Sequence, residues 1–206
     1  MGDNPFFTRV YKSQTNQEVL AIYDDWAEEY DETVLSHGYI TPQRCAAALA
    51  GLAPDLTAPV LDIGCGTGIS GMALEAAGFT DITGSEVNAA MLEKARARGS
   101  IYQNLMLVDV DNPFDFDVGT YRYITAMGVI ATGHAPASTI EDVLAKLEPG
   151  GMFVFSLNDH TLETPAYPAT VDRVINDGRA ECLLDEYGEH MPKIGLKARV
   201  IVLARC

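Results

Sequence analysis

Three glycines alternate in the stretch VLDIGCGTG, at Gly64, Gly66 and Gly68, two positions beyond the carboxylate of Asp62. Glycine lets a backbone approach a ligand without a Cβ in the way and adopts positive φ at little cost. A helix starting just after such a turn also aims its free amides at whatever occupies it. Three readings are open: a tight turn alone, a phosphate cradle for a dinucleotide, or a cradle for another nucleoside cofactor. The dinucleotide fingerprint is G-x-G-x-x-G, and its third glycine would fall at position 69, which is Ile69. Two further carboxylates sit where apolar runs end. Glu86 closes ITGSE and could accept two hydrogen bonds from a ribose diol, or simply favour the start of the next helix. Asp109 follows LMLV and could accept from an exocyclic amine of adenine, with Val110 offering a backbone amide; a turn-forming Asp is the plainer reading.

These residues need a scaffold that brings strand ends together. Apolar runs predict strands over 59–63, 81–85, 102–108, 121–127, 152–157, 180–186 and 198–204. Helical spacing predicts helices over 68–77, 89–98, 139–147 and 168–176. Asn88 reads as an N-cap, and Gly78 and Gly99 as C-terminal caps. Alternation of strand and helix implies an α/β fold with a mainly parallel sheet, which binds ligands at the carboxyl ends of its strands. The last two strands are too close for a crossover helix and predict an antiparallel hairpin through GEHMPKIG. Residues 1–54 differ. Val19, Ile22, Tyr23, Trp26 and Tyr30 have helical spacing in an acidic, aromatic segment, and TPQRCAAALAGL predicts a second helix from Thr41. This segment is too short for its own core and predicts an extra helical layer on the 55–206 body, within one compact domain.

Taken in order, VLDIGCGTG, GSEVN, VDVDNPF and LEPGGMFVFS resemble the motif set of class I S-adenosylmethionine-dependent methyltransferases of the small-molecule type. The resemblance runs over roughly residues 20 to 205. It implies a Rossmann-like, doubly wound seven-stranded sheet, mostly parallel with an antiparallel last strand and helices on both faces. It implies that Asp62, Gly64, Gly66 and Gly68 surround the methionine part of the cofactor, with Cys65, Val87, Val110 and Met127 also at the cofactor site. Glu86 would take the ribose and Asp109 the adenine. The segment IYDDWAEEYDETV is similar to the helical lid of small-substrate members, so Tyr23, Trp26 and Tyr30 would close over the cofactor, where aromatic faces suit a sulfonium cation. The same stripe also reads as the core face of an amphipathic helix, most of all at Trp26. TAMGVIATGH and FSLNDHTLE resemble bacterial members of unassigned substrate, some of them fused to tetratricopeptide repeats.

The chemistry so implied is in-line methyl transfer, leaving S-adenosylhomocysteine. The protein must align the partners and exclude water, and a general base is needed only where the acceptor carries a proton that must leave early. Candidate bases are His134, Asp159 and His160. His134 leads because its loop faces the transferred methyl in that fold; a plain loop histidine is the competing reading. His37 and His190 lie in turn-like contexts and carry no role. The small size of Cys65 suffices to explain it, and PAYP (165–168) reads as a loop or part of a substrate wall. Two departures from the family pattern stand out. The fourth strand opens with Tyr121 and Arg122 instead of an aromatic residue and Asp, and ATGH replaces the Asn-Pro-Pro-aromatic motif of nitrogen-directed nucleic-acid and protein enzymes.

Composition sets the outer bounds. The 206 residues are 48% hydrophobic and 21% charged, with a net charge of −15. Nucleic acid and anionic membrane surfaces need clustered Lys and Arg, and the one basic cluster, KARARG, reads as a helix C-terminus. Cys45, Cys65, Cys182 and Cys206 show no CxxC spacing and predict reduced thiols with no metal site. No apolar run is long enough to span a bilayer, and MGDNPFFTRV lacks a signal-peptide pattern. The expectation is a cytoplasmic methyltransferase acting on a small molecule. The alternatives are a cofactor-binding scaffold without turnover and, less favoured, an NAD-dependent oxidoreductase. An apolar helix face suits core and interface equally, so oligomeric state stays open.

Overall fold

The computed structural model describes residues 16–206; the stretch read for a signal pattern lies outside the described residues. In chain order the elements are α1 (Asn16–Trp26), α2 (Tyr30–Ser36), α3 (Thr41–Leu52), β1 (Val60–Ile63), α4 (Ile69–Ala76), β2 (Ile82–Glu86), α5 (Ala89–Ala97) and β3 (Asn104–Leu107). There follow β4 (Tyr123–Ala126), α6 (Thr139–Lys146), β5 (Met152–Asn158), α7 (Asp159–Leu162), α8 (Ala166–Asn176), β6 (Ala180–Met191), a 3-10 turn (Pro192–Ile194) and β7 (Leu196–Arg205).

Among the described residues the strands form one seven-stranded sheet in the order β3-β2-β1-β4-β5-β7-β6. All adjacent pairs are parallel except those of β7, which runs antiparallel to both β5 and β6. Strand alternation divides the core into two layers. Val60, Ile82, Tyr123, Val154 and Val202 face α3, α4 and α5, packing with Leu49, Leu74 and Leu92. Leu61, Ile124, Phe153, Phe155 and Ile201 face the opposite way, onto Val143 and Leu144 of α6 and Val171 and Val174 of α8. Both faces are covered, so the central strands read as continuous apolar runs. The order reverses between β1 and β4, the switch point at which doubly wound sheets open a crevice.

Several boundaries differ from expectation. The N-terminal helical pattern breaks at residues 27–29 into α1 and α2. PAYP opens α8 instead of forming a loop, and Tyr167 is buried beside Val171. β3 is shorter than its apolar run because Tyr102 turns inward to bond Asp62. β6 runs on to Met191, and the hairpin turns through Pro192–Ile194 and Gly195. Gly188 is therefore a strand residue; a Cβ there would lie 2.9 Å from Nη2 of Arg44, whose guanidinium donates to the carbonyls of Glu186, Glu189 and Ala198. His190, read as a turn residue, is buried in β6, and its Nδ1 shares a 2.7 Å hydrogen bond with Thr41 Oγ1. Arg122 lies across the turn at Pro149 and Gly150, at the end of β4 away from the switch point.

Candidate active site

The carboxyl ends of β1, β2 and β4 open into a cavity of about 730 Å³, within the size range of sites for small ligands. Its wall includes Gly64 and Gly66 after β1, Glu86 and Val87 after β2, Val110 after β3, and Met127 and His134 after β4, with Tyr23 and Tyr30 from the N-terminal helices above. Nine of the residues singled out from sequence thus share one wall. Asp62, Cys65, Gly68 and Asp109 are not among the lining residues.

Each of those four has a physical reason to be elsewhere. Asp62 is fully buried beneath the loop. Its Oδ1 accepts from Thr125 Oγ1 at 2.8 Å, and its Oδ2 from Ser70 Oγ at 2.6 Å and Tyr102 Oη at 2.8 Å. Burial raises its pKa against the pull of those three donors. Asp62 therefore ties β1, β4, α4 and the segment before β3 to one another. Cys65 packs into the core, its Sγ 2.9 Å from where a Cβ on Gly84 would stand, and burial pushes its thiol pKa up. Gly68 caps α4 at φ 91, and a Cβ there would meet Cδ of Arg98 at 3.0 Å and Cα of Ala95 at 3.3 Å. It makes room for α5. Asp109 is exposed, and its Oδ1 accepts the amide of Asp111 at 2.9 Å, the turn role that competed with adenine.

The other two glycines differ from each other. At Gly64 (φ 61) a Cβ would stand 2.5 Å from Cγ2 of Val129; at Gly66 (φ 54), among the described residues, it would meet nothing nearer than the carbonyl of Gly64 at 4.0 Å. Gly66 is the position where bare backbone faces open space. Its amide donates to Glu86 Oε2 at 2.9 Å, while Glu86 Oε1 accepts from the amides of Val87 at 2.8 Å and Asn88 at 2.9 Å. A carboxylate offers about four acceptor sites, so Glu86 keeps room for one more donor unless Gly66 yields. Burial raises the Glu86 pKa and the three amides lower it.

His134 sits against α1. Its Nε2 and the Tyr23 hydroxyl share a 2.6 Å hydrogen bond, and the two rings meet edge to face. Burial lowers the His134 pKa, with the Thr132 backbone pulling the other way, which favours the neutral imidazole. Asp159, a competing candidate base, instead accepts from the Tyr187 hydroxyl and the Lys197 amide; neither it nor His160 lines the cavity.

The sequence reading missed the residues that pin the N-terminal helices down. Asn88 caps α5 by accepting the Met91 amide, as expected, but its Nδ2 also donates to Leu20 O at 3.2 Å and Asp24 Oδ1 at 2.8 Å. Thr67 in the glycine loop donates to Asp31 Oδ1 at 2.5 Å, and Arg98 donates to the other oxygen of Asp31 and to the Thr67 carbonyl. KARARG thus contributes a docking contact besides ending a helix. Only the dipole pattern was visible in it, because the partner of Arg98 lies 67 residues away. Among the described residues no cluster of His, Cys, Asp or Glu could hold a metal ion, and no helix is long and apolar enough to cross a membrane.

A doubly wound sheet of this order with a glycine loop and a carboxylate at the switch point defines a class I S-adenosylmethionine-dependent methyltransferase. Residues 37–195 match the family described as a methyltransferase domain, and the chain belongs to it. It is 32% identical over 171 residues to human Methyltransferase-like protein 27, covering 80% of this chain and 69% of that protein. It is 29% identical over 140 residues to the demethylmenaquinone methyltransferase of Clavibacter sepedonicus, covering 66% of this chain and 56% of that one. The magnesium protoporphyrin IX methyltransferase of Synechocystis PCC 6803, solved with bound S-adenosylmethionine, superposes with a TM-score of 0.60 at 16% identity over 98% of this chain and 90% of its own.

Proposed function

We propose that this methyltransferase acts on a small organic acceptor, with S-adenosylmethionine held at the β1–β2 end of the cavity and the acceptor at the His134 end. The observation that carries this reading is Gly66, whose backbone is bare toward a cavity that Glu86 also lines. When bound, the cofactor supplies an activated methyl on sulfur. The chain's own residues bind, orient and exclude water. The Gly66 backbone gives clearance, Glu86 takes a ribose hydroxyl on its remaining acceptor site, and Val110 and Met127 supply apolar wall. Tyr23 and Tyr30 cover the site from α1 and α2, which act as the lid; α3 is excluded from that role because Cys45, Ala46 and Leu49 are locked in the main core. His134, which burial favours in its neutral form, can then accept a proton from an acceptor. Ile69 argues against a dinucleotide: it stands where a third glycine is required and packs against Val34 and Tyr39. The four free cysteines suit a reducing compartment.

Glu86→Ala is expected to weaken S-adenosylhomocysteine binding by about 1–3 kcal/mol, the scale of a hydrogen bond to a charged group. Calorimetry reads the effect, and unchanged affinity would remove Glu86 from the ribose role. Asp31→Ala unpins the lid from Thr67 and Arg98. Because that pair is partly exposed, the expected loss of affinity is modest, about 1 kcal/mol or less. It should appear with faster amide exchange in α2, and a rigid α2 with wild-type exchange would refute the pinning.

A further inference from the structure

The charge of the cavity wall is one-sided. Its described lining carries three carboxylates, Glu86, Asp111 and Asp142, and no Lys or Arg. A bound S-adenosylmethionine has two positive groups and one negative, so it offsets one of the three; Asp111 and Asp142, both exposed at the rim, leave the described lining with an excess of negative charge. Asp142 lies in the first turn of α6, which follows the His134 loop, and lines the cavity together with Thr139. A second feature adjoins the cavity at Tyr23 and His134. Behind His134 a recess of about 50 Å³ is walled by Tyr23, Trp26, Tyr30 and Tyr39 and touched by Asn158 and His190. Tyr23, Tyr30, Gly128 and His134 line both spaces, so the recess adjoins the main cavity. Aromatic faces attract cations and repel anions, the more so out of water.

We propose that the methyl acceptor is a small organic amine that enters as its ammonium ion, its nitrogen held at the Tyr23–His134 end and its apolar part along Val129 and Pro136, and that carboxylate- or phosphate-bearing acceptors are rejected. This rests on the methyltransferase reading above. The ammonium breaks one N–H bond, and its proton passes to the Tyr23–His134 pair, the Tyr23 hydroxyl proton moving to Nε2 as the oxygen takes the new one. The freed lone pair on nitrogen becomes the nucleophile for the cofactor's methyl. The imidazolium later returns its proton to solvent.

Three probes with the same ring and two-carbon arm separate the outcomes: phenethylamine, phenethyl alcohol and hydrocinnamate. Each is titrated by calorimetry into protein saturated with S-adenosylhomocysteine, at neutral pH and low salt. Phenethylamine is expected to bind about tenfold or more tighter than hydrocinnamate, with the alcohol between them. Added salt should narrow the gap, and Asp142→Asn should cut it about threefold. Hydrocinnamate binding as tightly as the amine, or neither binding at about 10 mM, overturns the proposal. The preceding S-adenosylhomocysteine titration keeps the two readings apart. Its failure would sink the cofactor assignment, whereas its success with hydrocinnamate favoured would sink only the amine.

Discussion

Gly66→Val is expected to abolish S-adenosylhomocysteine binding while the protein remains folded. The three loop glycines would respond differently to the same change. At Gly64 a side chain would strike Val129, and at Gly68 it would strike Arg98 and Ala95, so valine at either disrupts the protein's own packing. At Gly66 a Cβ would come no closer than 4.0 Å to the described residues beyond its chain neighbours, at a position that lines the cavity. The folded state bears the cost of a left-handed φ, roughly 1–2 kcal/mol for a residue with a Cβ and more for a β-branched one. A domain with about 5–15 kcal/mol in hand tolerates that. Binding bears the full steric overlap, so the affinity should fall about a hundredfold or more. Calorimetry and a thermal melt on the same sample read both effects. A folded variant that binds within a few-fold of wild type would show that the loop backbone does not approach the cofactor.

The same contrast shows what the sequence made legible. Spacing correctly marked the loop as a glycine-dependent turn, and all three glycines have positive φ. Spacing could not say which glycine faces a ligand and which faces a neighbouring segment, because that depends on Val129, 65 residues beyond Gly64, and on Arg98, 30 residues beyond Gly68. The central strands were legible because burial on both faces makes them unbroken apolar runs. β6 was legible only up to Glu186: it is an edge strand, its later residues are largely polar or exposed, and Gly188 imitates a turn while clearing Arg44. The place of Glu86 at the cavity wall was legible because it ends a strand in a named motif. Asp109 follows one equally well yet is not among the lining residues and accepts the Asp111 amide, and nothing local in the two stretches separates these placements. Gly71 carried no visible signal, although its missing Cβ lets the Tyr102 ring lie against α4 and reach Asp62.

Asp62→Ala is expected to lower stability by about 3–5 kcal/mol, the range of a broken buried polar network. The hydroxyls of Ser70, Thr125 and Tyr102 would all lose this buried acceptor. Asp62→Asn keeps the shape and a carbonyl oxygen, so its loss should be about 1 kcal/mol. The pH dependence then tests the charge. Burial raises the folded pKa of Asp62 above its unfolded value. A raised pKa means that the folded state holds the proton more tightly, so the stability Asp62 contributes is fully present below the unfolded pKa and is lost as pH rises through the folded one. Urea unfolding of wild type and Asp62→Asn across that interval should therefore show the wild-type advantage shrinking as pH increases. An advantage that grows with pH would mean that the three hydroxyl donors outweigh burial and depress the pKa. In either case the variants should lose cofactor affinity together with stability, because Asp62 joins β1, β4, α4 and Tyr102 at the base of the glycine loop. An alanine variant with weakened folding and undiminished S-adenosylhomocysteine binding would show that the loop holds its shape without that anchor.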